Sequence, residues 1–346
     1  MRRSLNTLYI TTDGAWVHKD GANVVMDVEG QTKGRVPAHM LESLVCLGRV
    51  LVSPPLLGYC AEQGISVSFL SRNGRFLARV EGPVSGNVLL RRRQYQCSDD
   101  PGICARIVSH LLQGKIHGQR TVLTRALRDH GSRMSAEAQL SIGRAADRLR
   151  RISDRLWVEP SVDVLRGLEG DAARLYFEVF DHLIRVPDTA LRFKGRNRRP
   201  PKDIVNALLS FLYTLLTHDC RGALETVGLD PAVGFLHRDR PGRPSLALDL
   251  LEGFRPVLAD RLVLSLINRK QVSKKDFQTL DTGAVVMTDD GRRTVLTAYQ
   301  KRKQEEILHP FLKEKVMIGL LPFIQAQLLA RHLRGDLDGY PPFLWK

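Results

Sequence analysis

Cysteine is scarce in this chain, with five residues at positions 46, 60, 97, 104 and 220 and no CxxC pair among them. An odd number without close pairing excludes a disulfide framework and a zinc ribbon, and a structural zinc or iron–sulfur cluster held by this chain is not expected. The thiols read as reduced and mostly buried, as free cysteines usually are. Also missing are a long apolar span, a signal-peptide pattern and a basic amphipathic anchor, so a soluble cytoplasmic protein without a membrane partner is expected. There is no internal repeat and no low-complexity tail. Acidic residues run short as well: 37 Asp plus Glu face 52 Lys plus Arg, leaving a formal charge of +15. An excess of that size is a statement about partners, and a polyanion such as nucleic acid is the first candidate.

The chain has 346 residues, more than the about 250–300 that one hydrophobic core usually serves. Two domains are therefore expected, residues 1–85 and 86–346. The first is punctuated by hairpin signals at Asp13-Gly14, Asp20-Gly21 and Asn73-Gly74, each between short β-branched or aromatic runs. Candidate strands are Leu8–Thr11, Ala15–His18, Asn23–Asp27, Val50–Ser53, Ser66–Leu70 and Phe76–Glu81. Pro37 opens an expected helix through Leu47, and Pro54 or Pro55 another to about Gly64. Beyond Glu81-Gly82-Pro83 helical periodicity takes over, at 87–96, 103–113, 119–129, 136–151, 171–184, 203–218, 246–252 and 257–268. One hairpin interrupts it, Val285–Thr288 and Arg293–Ala298 around Asp290-Gly291. The fold class this predicts is α+β, a small N-terminal β-rich domain followed by a larger α-helical one.

The densest chemistry lies in Gly234–Pro256, GFLHRDRPGRPSLALDLLEGFRP. Asp249 and Glu252, three apart on an expected helix, share a face, and a bend through Pro241 and Pro244 can swing that face towards His237. One imidazole and carboxylate oxygens suit Mn²⁺ or Mg²⁺ far better than a thiolate-seeking metal. In a strongly basic protein such a site points to phosphodiester chemistry. On spacing alone, the same residues also fit the polar side of an amphipathic helix and an ordinary loop histidine.

Glu169 is a further candidate, set between Gly167 and Gly170 just before an expected helix containing Tyr176 and Phe177. The glycines permit a bend that aims the carboxylate into a cleft; an acid favoured by the dipole at a helix start is the plainer alternative. Arg192, Lys194, Arg196, Arg198 and Arg199 crowd RFKGRNRRPPKD. Its glycine, asparagine and paired prolines mark a loop whose arginines can fork onto DNA phosphates, although a solvated charge run has the same composition. Tyr95, Trp157 and Tyr299 are read as core aromatics before base-stacking ones.

GLEGDAARLYF, RRPPKDIVNALLSFLYTLL, GFLH and SLALDLLEGFRPVLADRLVLSLIN, in this order, resemble the CRISPR-associated integrase of the spacer-acquisition module, the first-numbered Cas protein. LLRRRQY at 89–95 and the terminal YPPFLWK look like its type I-C branch. The resemblance implies an N-terminal β-rich domain for dimerisation and partner contacts, and a helical domain with a Mn²⁺ or Mg²⁺ site. Carried over position by position, the catalytic and metal-holding residues are Glu169, His237 and Glu252, with Asp249 a secondary candidate. The implied activity is insertion of short double-stranded DNA into a CRISPR array by 3′-hydroxyl attack. Implied partners are double-stranded DNA, a second copy as homodimer, the small second-numbered Cas protein in a heterohexamer, and the fourth-numbered Cas nuclease. The alternatives are a nuclease for branched or single-stranded DNA that does not integrate, and a DNA-binding scaffold without catalysis.

Overall fold

The computed structural model describes residues 6–72, 76–80, 82, 88–158, 161–197 and 200–345. The Asn73-Gly74 turn signal, Arg198 and Arg199 lie outside the described residues. In chain order the first elements are β1 (Asn6–Ile10), β2 (Trp16–Asp20), β3 (Asn23–Val28), β4 (Gln31–Pro37), β5 (Leu41–Leu47), β6 (Leu51–Val52), α1 (Pro54–Glu62), β7 (Ser66–Leu70) and β8 (Phe76–Val80). They build two four-stranded sheets, β1-β5-β7-β8 and β4-β3-β2-β6. In the first, β1, β5 and β7 run parallel and β8 antiparallel. In the second, β2, β3 and β4 form an antiparallel meander and β6 runs parallel to β2.

Side chains alternate faces along a strand, and β5 uses both faces. Leu44 and Cys46 join Val17, Val24 and Leu56 in a core between the sheets and α1. Val45 and Leu47 join Leu70 in the core of the helical part. The first sheet is thus covered on both sides, which ties the strands to the helices.

The helical part runs α2 (Val88–Asp99), α3 (Pro101–His130), α4 (Ala136–Arg155), α5 (Val162–Glu178), α6 (Ile204–Val227) and α7 (Ser245–Glu252). A π-helical turn, Arg255–Asp260, leads into α8 (Arg261–Asn268). Then come β9 (Phe277–Thr279), β10 (Val285–Met287), α9 (Asp289–Gln304), β11 (Glu306–Leu308), β12 (Lys315–Met317) and α10 (Leu321–Arg334). Helix α3 is the spine, packed against α4, α5, α7 and the π-helical turn.

Several local expectations are overturned. Pro37 ends β4, and Leu41–Leu47 is a strand; its second half, Leu44–Leu47, is buried on both faces and is a continuous apolar run that periodicity cannot tell from a helix. Asp13-Gly14 is no hairpin, because β1 and β2 belong to different sheets; Asp13 Oδ1 instead accepts from Arg49 N at 2.9 Å. The expected helices at 103–113 and 119–129 are one, since Gly114 and Gly118 mark close packing on Phe343 and Pro256 rather than a break. The expected hairpin at Asp290-Gly291 is the first turn of α9. There Thr288 caps the helix by accepting from Gly291 N at 3.2 Å, and two aspartates complement the dipole. Glu169 sits in the middle of α5, which begins at Val162, not at a helix entrance.

Candidate active site

Helix α3 starts where Asp100 accepts from Ile103 N at 2.8 Å and Pro101 fixes the first turn. Its middle carries Lys115 into the interior, where the residue is 3% exposed. A buried ammonium requires charge compensation. Two carboxylates provide it: Glu169 Oε1 from α5, in direct contact, and Glu252 Oε2 from the last residue of α7, at 2.6 Å. Arg255 Nη1, three residues on in the π-helical turn, forms an ion pair with Glu252 Oε1 at 2.7 Å. Burial disfavours a charged Glu252, but Arg255, Lys115 and His237 outweigh it and hold the carboxyl well below its ordinary range.

His237 lies at the end of the GFLH turn, and that turn is organised by Asp249. Fully buried on α7, Asp249 accepts from Phe235 N at 2.6 Å and Leu236 N at 3.0 Å through Oδ2, and from His237 N at 3.0 Å through Oδ1. His237 Nδ1 lies 2.6 Å from the same Oδ1. A side chain at Gly234 would come within 2.9 Å of Asp249 and Ser245, so only glycine fits there. The imidazole hydrogen is therefore held on Nδ1, and in the neutral ring the Nε2 lone pair is left for another partner. Asp249 is a positioning residue, with both oxygens committed to the turn.

The donor set is two carboxylates and one imidazole, which suits Mn²⁺ or Mg²⁺. A cation already bridges the two glutamates, and Glu252 Oε2, though beside Lys115, accepts no directed hydrogen bond. The residues fit such an ion in kind. In position they are not yet a cage: among the described residues no three histidine, cysteine or carboxylate side chains stand close enough to hold a metal.

Two arginines of the basic loop make contacts within the protein. Arg192 Nη1 donates to Ile184 O at 3.0 Å, and Arg196 Nη1 to Asn206 Oδ1 at 2.6 Å, with the Arg196 guanidinium over the Tyr213 ring. The Arg192 side chain remains 40% exposed, whereas Arg196 is half-buried against α6. Lys194 is exposed. Tyr299 is buried, as expected of a core aromatic, whereas Tyr95 and Trp157 are exposed at 39% and 56%. Lys115 and Arg255 escaped the sequence: a lysine between glycines on a helix looks solvated, and only the crossing of α3, α5 and α7 buries it.

The fold defines the class first. It matches a solved Cas1 protein from Thermotoga maritima with TM-score 0.81 and 23% identity, over 95% of this chain and 97% of that one. A casposase bound to integration product matches with TM-score 0.83 and 21% identity, over 98% and 94%. The chain also matches 36% of a chain in a Cas6-RT-Cas1–Cas2 complex, with TM-score 0.82, 23% identity and 100% of this chain covered. The family profile of CRISPR associated protein Cas1 spans residues 8–301. CRISPR-associated endonuclease Cas1 2 of Rhodospirillum rubrum is 59% identical over 347 residues, and CRISPR-associated endonuclease Cas1 1 of Chlorobaculum tepidum 53% over 350, each covering both chains completely. A Cas4/Cas1 fusion of Geobacter sulfurreducens is 36% identical over 97% of this chain and 60% of its own length. The chain belongs to the CRISPR-associated Cas1 family.

Proposed function

We propose that this chain inserts short double-stranded DNA fragments into a CRISPR array. The observation that carries this is the meeting of Glu169 and Glu252, from separate helices, on one cationic point near a histidine whose Nδ1 is tied to Asp249. A 3′ hydroxyl of the fragment attacks a phosphodiester at the leader-proximal repeat boundary, and a second attack on the opposite strand completes insertion. One P–O bond forms as one breaks, so the reaction needs no nucleotide cofactor and no protein nucleophile.

Glu169, Glu252 and His237 Nε2 are the groups that would hold Mn²⁺ or Mg²⁺. When bound, such an ion polarises the phosphate and stabilises charge on the attacking or leaving oxygen. Arg255 fixes one oxygen of Glu252 and so orients the other. Asp249 keeps the His237 hydrogen on Nδ1. The charge of +15 attracts the phosphate backbone of a DNA substrate.

Two attacks far apart on a duplex call for two copies of the site, hence a homodimer. The Cas2-containing neighbour and the Cas4 fusion support assembly with those two partners. A cytoplasmic setting follows from such partners; among the described residues no helix is long and apolar enough to cross a membrane. Strand transfer into a supercoiled plasmid carrying a repeat tests the proposal. Joined products that vanish in Glu169→Ala, His237→Ala and Glu252→Ala support it; cleavage without joining marks a plain nuclease, and joining that survives all three ends the metal reading.

A further inference from the structure

The Lys115 side chain is 4% exposed, and it is shared rather than paired, because Glu169 and Glu252 both close on its Nζ. Two carboxylates brought this close would repel each other without a cation between them. The contact with Glu252 is also close, with Nζ 2.6 Å from Oε2. Glu252 keeps a separate anchor through Arg255 on its other oxygen. Releasing the ammonium would therefore not release Glu252.

The helix on either side of Lys115 is packed against other segments: a Cβ at Gly114 would stand in ordinary contact, 3.5 Å from Phe343 O, and one at Gly118 3.4 Å from Pro256 and Val257. The part free to move is the four-carbon stem, with its strongly hydrated, point-like charge. The same ammonium stands between two of the three side chains assigned to the ion, and no ready cage of three exists among the described residues.

We propose that Lys115 is a built-in counter-cation that competes with the divalent ion for Glu169 and Glu252. It holds the two carboxylates together while the site carries no ion and gives up its place when one binds. This rests on Glu169, Glu252 and His237 being the ligands. Lys115 is then a positioning residue that sets the affinity for the ion and keeps the unloaded site folded. Its removal has two opposed effects, which a purely structural lysine would not show.

The test is Lys115→Met, which removes the charge and keeps the unbranched stem. Without metal its melting temperature falls below that of the wild type. Titration calorimetry with Mn²⁺ shows binding at least about tenfold tighter than wild type, the scale on which groups around ligands tune a site. Saturating Mn²⁺ closes most of the gap in melting temperature. Lys115→Arg, which keeps the charge, restores the metal-free melting temperature and does not tighten binding. Should Lys115→Met not fold, Lys115→Gln carries the same expectation for Mn²⁺ affinity. Affinity that is unchanged or weaker in the neutral variants overturns the proposal while leaving the ligands as assigned. A wild-type protein that binds no Mn²⁺ overturns the ligand assignment, and this proposal with it.

Discussion

His237 Nδ1 lies 2.6 Å from Asp249 Oδ1, and the same carboxylate accepts three backbone N–H groups of residues 235–237. One buried side chain therefore sets both the path of the turn and the orientation of the imidazole. Asp249→Asn keeps the shape but replaces an acceptor with a donor facing donors. Strand transfer should fall about 10–100-fold and stability by about 1–3 kcal/mol. Strand-transfer assays with a urea melt check both, and an unchanged rate would show that His237 needs no such orientation.

Glu169 and Glu252 should separate on stability while agreeing on activity. Glu252 is 2% exposed between Lys115 and Arg255, so Glu252→Ala takes the carboxylate from Arg255 and leaves the buried Lys115 with Glu169 alone; it should cost about 3–5 kcal/mol. The Glu169 side chain is 28% exposed, and its loss should cost about 1 kcal/mol or less. Both variants should lose joining. Equal melting temperatures for the two would contradict the burial described here.

Acid has two opposed effects on this fold. Burial, more than the nearby arginines, lowers His218 from 6.5 to about 4, so between those values the unfolded chain takes a proton that the folded one refuses, and stability falls on acidification. Burial likewise raises Asp260 from 3.8 to about 6, against the pull of Tyr213 and Arg255, so the folded chain keeps a proton that the unfolded one releases, and stability falls as pH rises through that window. Each effect amounts to at most roughly 3 kcal/mol, His218 the less because it retains contact with water. Relative to wild type, His218→Gln should gain stability from pH 6.5 towards 4, and Asp260→Asn from 3.8 towards 6. Denaturant melts across that range would show parallel curves if neither group is shifted.

The basic loop should divide into structural and DNA-facing residues. Arg196→Ala loses its bonds to Asn206 and Ser210 and its place over Tyr213, so its melting temperature should drop. Lys194→Ala should leave the melt unchanged and weaken DNA binding, reducing the slope of log affinity against log salt by about 1 if Lys194 meets one phosphate. An unaltered slope would remove Lys194 from the interface.

Much of the fold is legible in the chain because its signals are local. Pro54 after Ser53 opens α1, β7 matches Ser66–Leu70, and the turn at Asp20-Gly21 joins β2 to β3 as expected. The failures have two causes. Leu41–Leu47 and Gly114–Gly118 are shaped by segments distant in sequence that pack on them, which no short window contains. At Asp290-Gly291 the deciding neighbour is local: Thr288 caps a helix where the dipeptide signals a turn.

The chain by itself determined the chemistry available: a strong positive charge, oxygen and imidazole donors at Glu169, His237, Asp249 and Glu252, and thiols without partners, because these follow from residue type and spacing. Only the tertiary structure decided how the donors are used. It turned Asp249 into the support of His237, tied Arg196 to Asn206, and buried Lys115 between two glutamates. The physical reason is that a charge acquires its role from the groups that exclude water around it. Here those groups come from α3, α5, α7 and the π-helical turn, segments that meet only when the chain is folded.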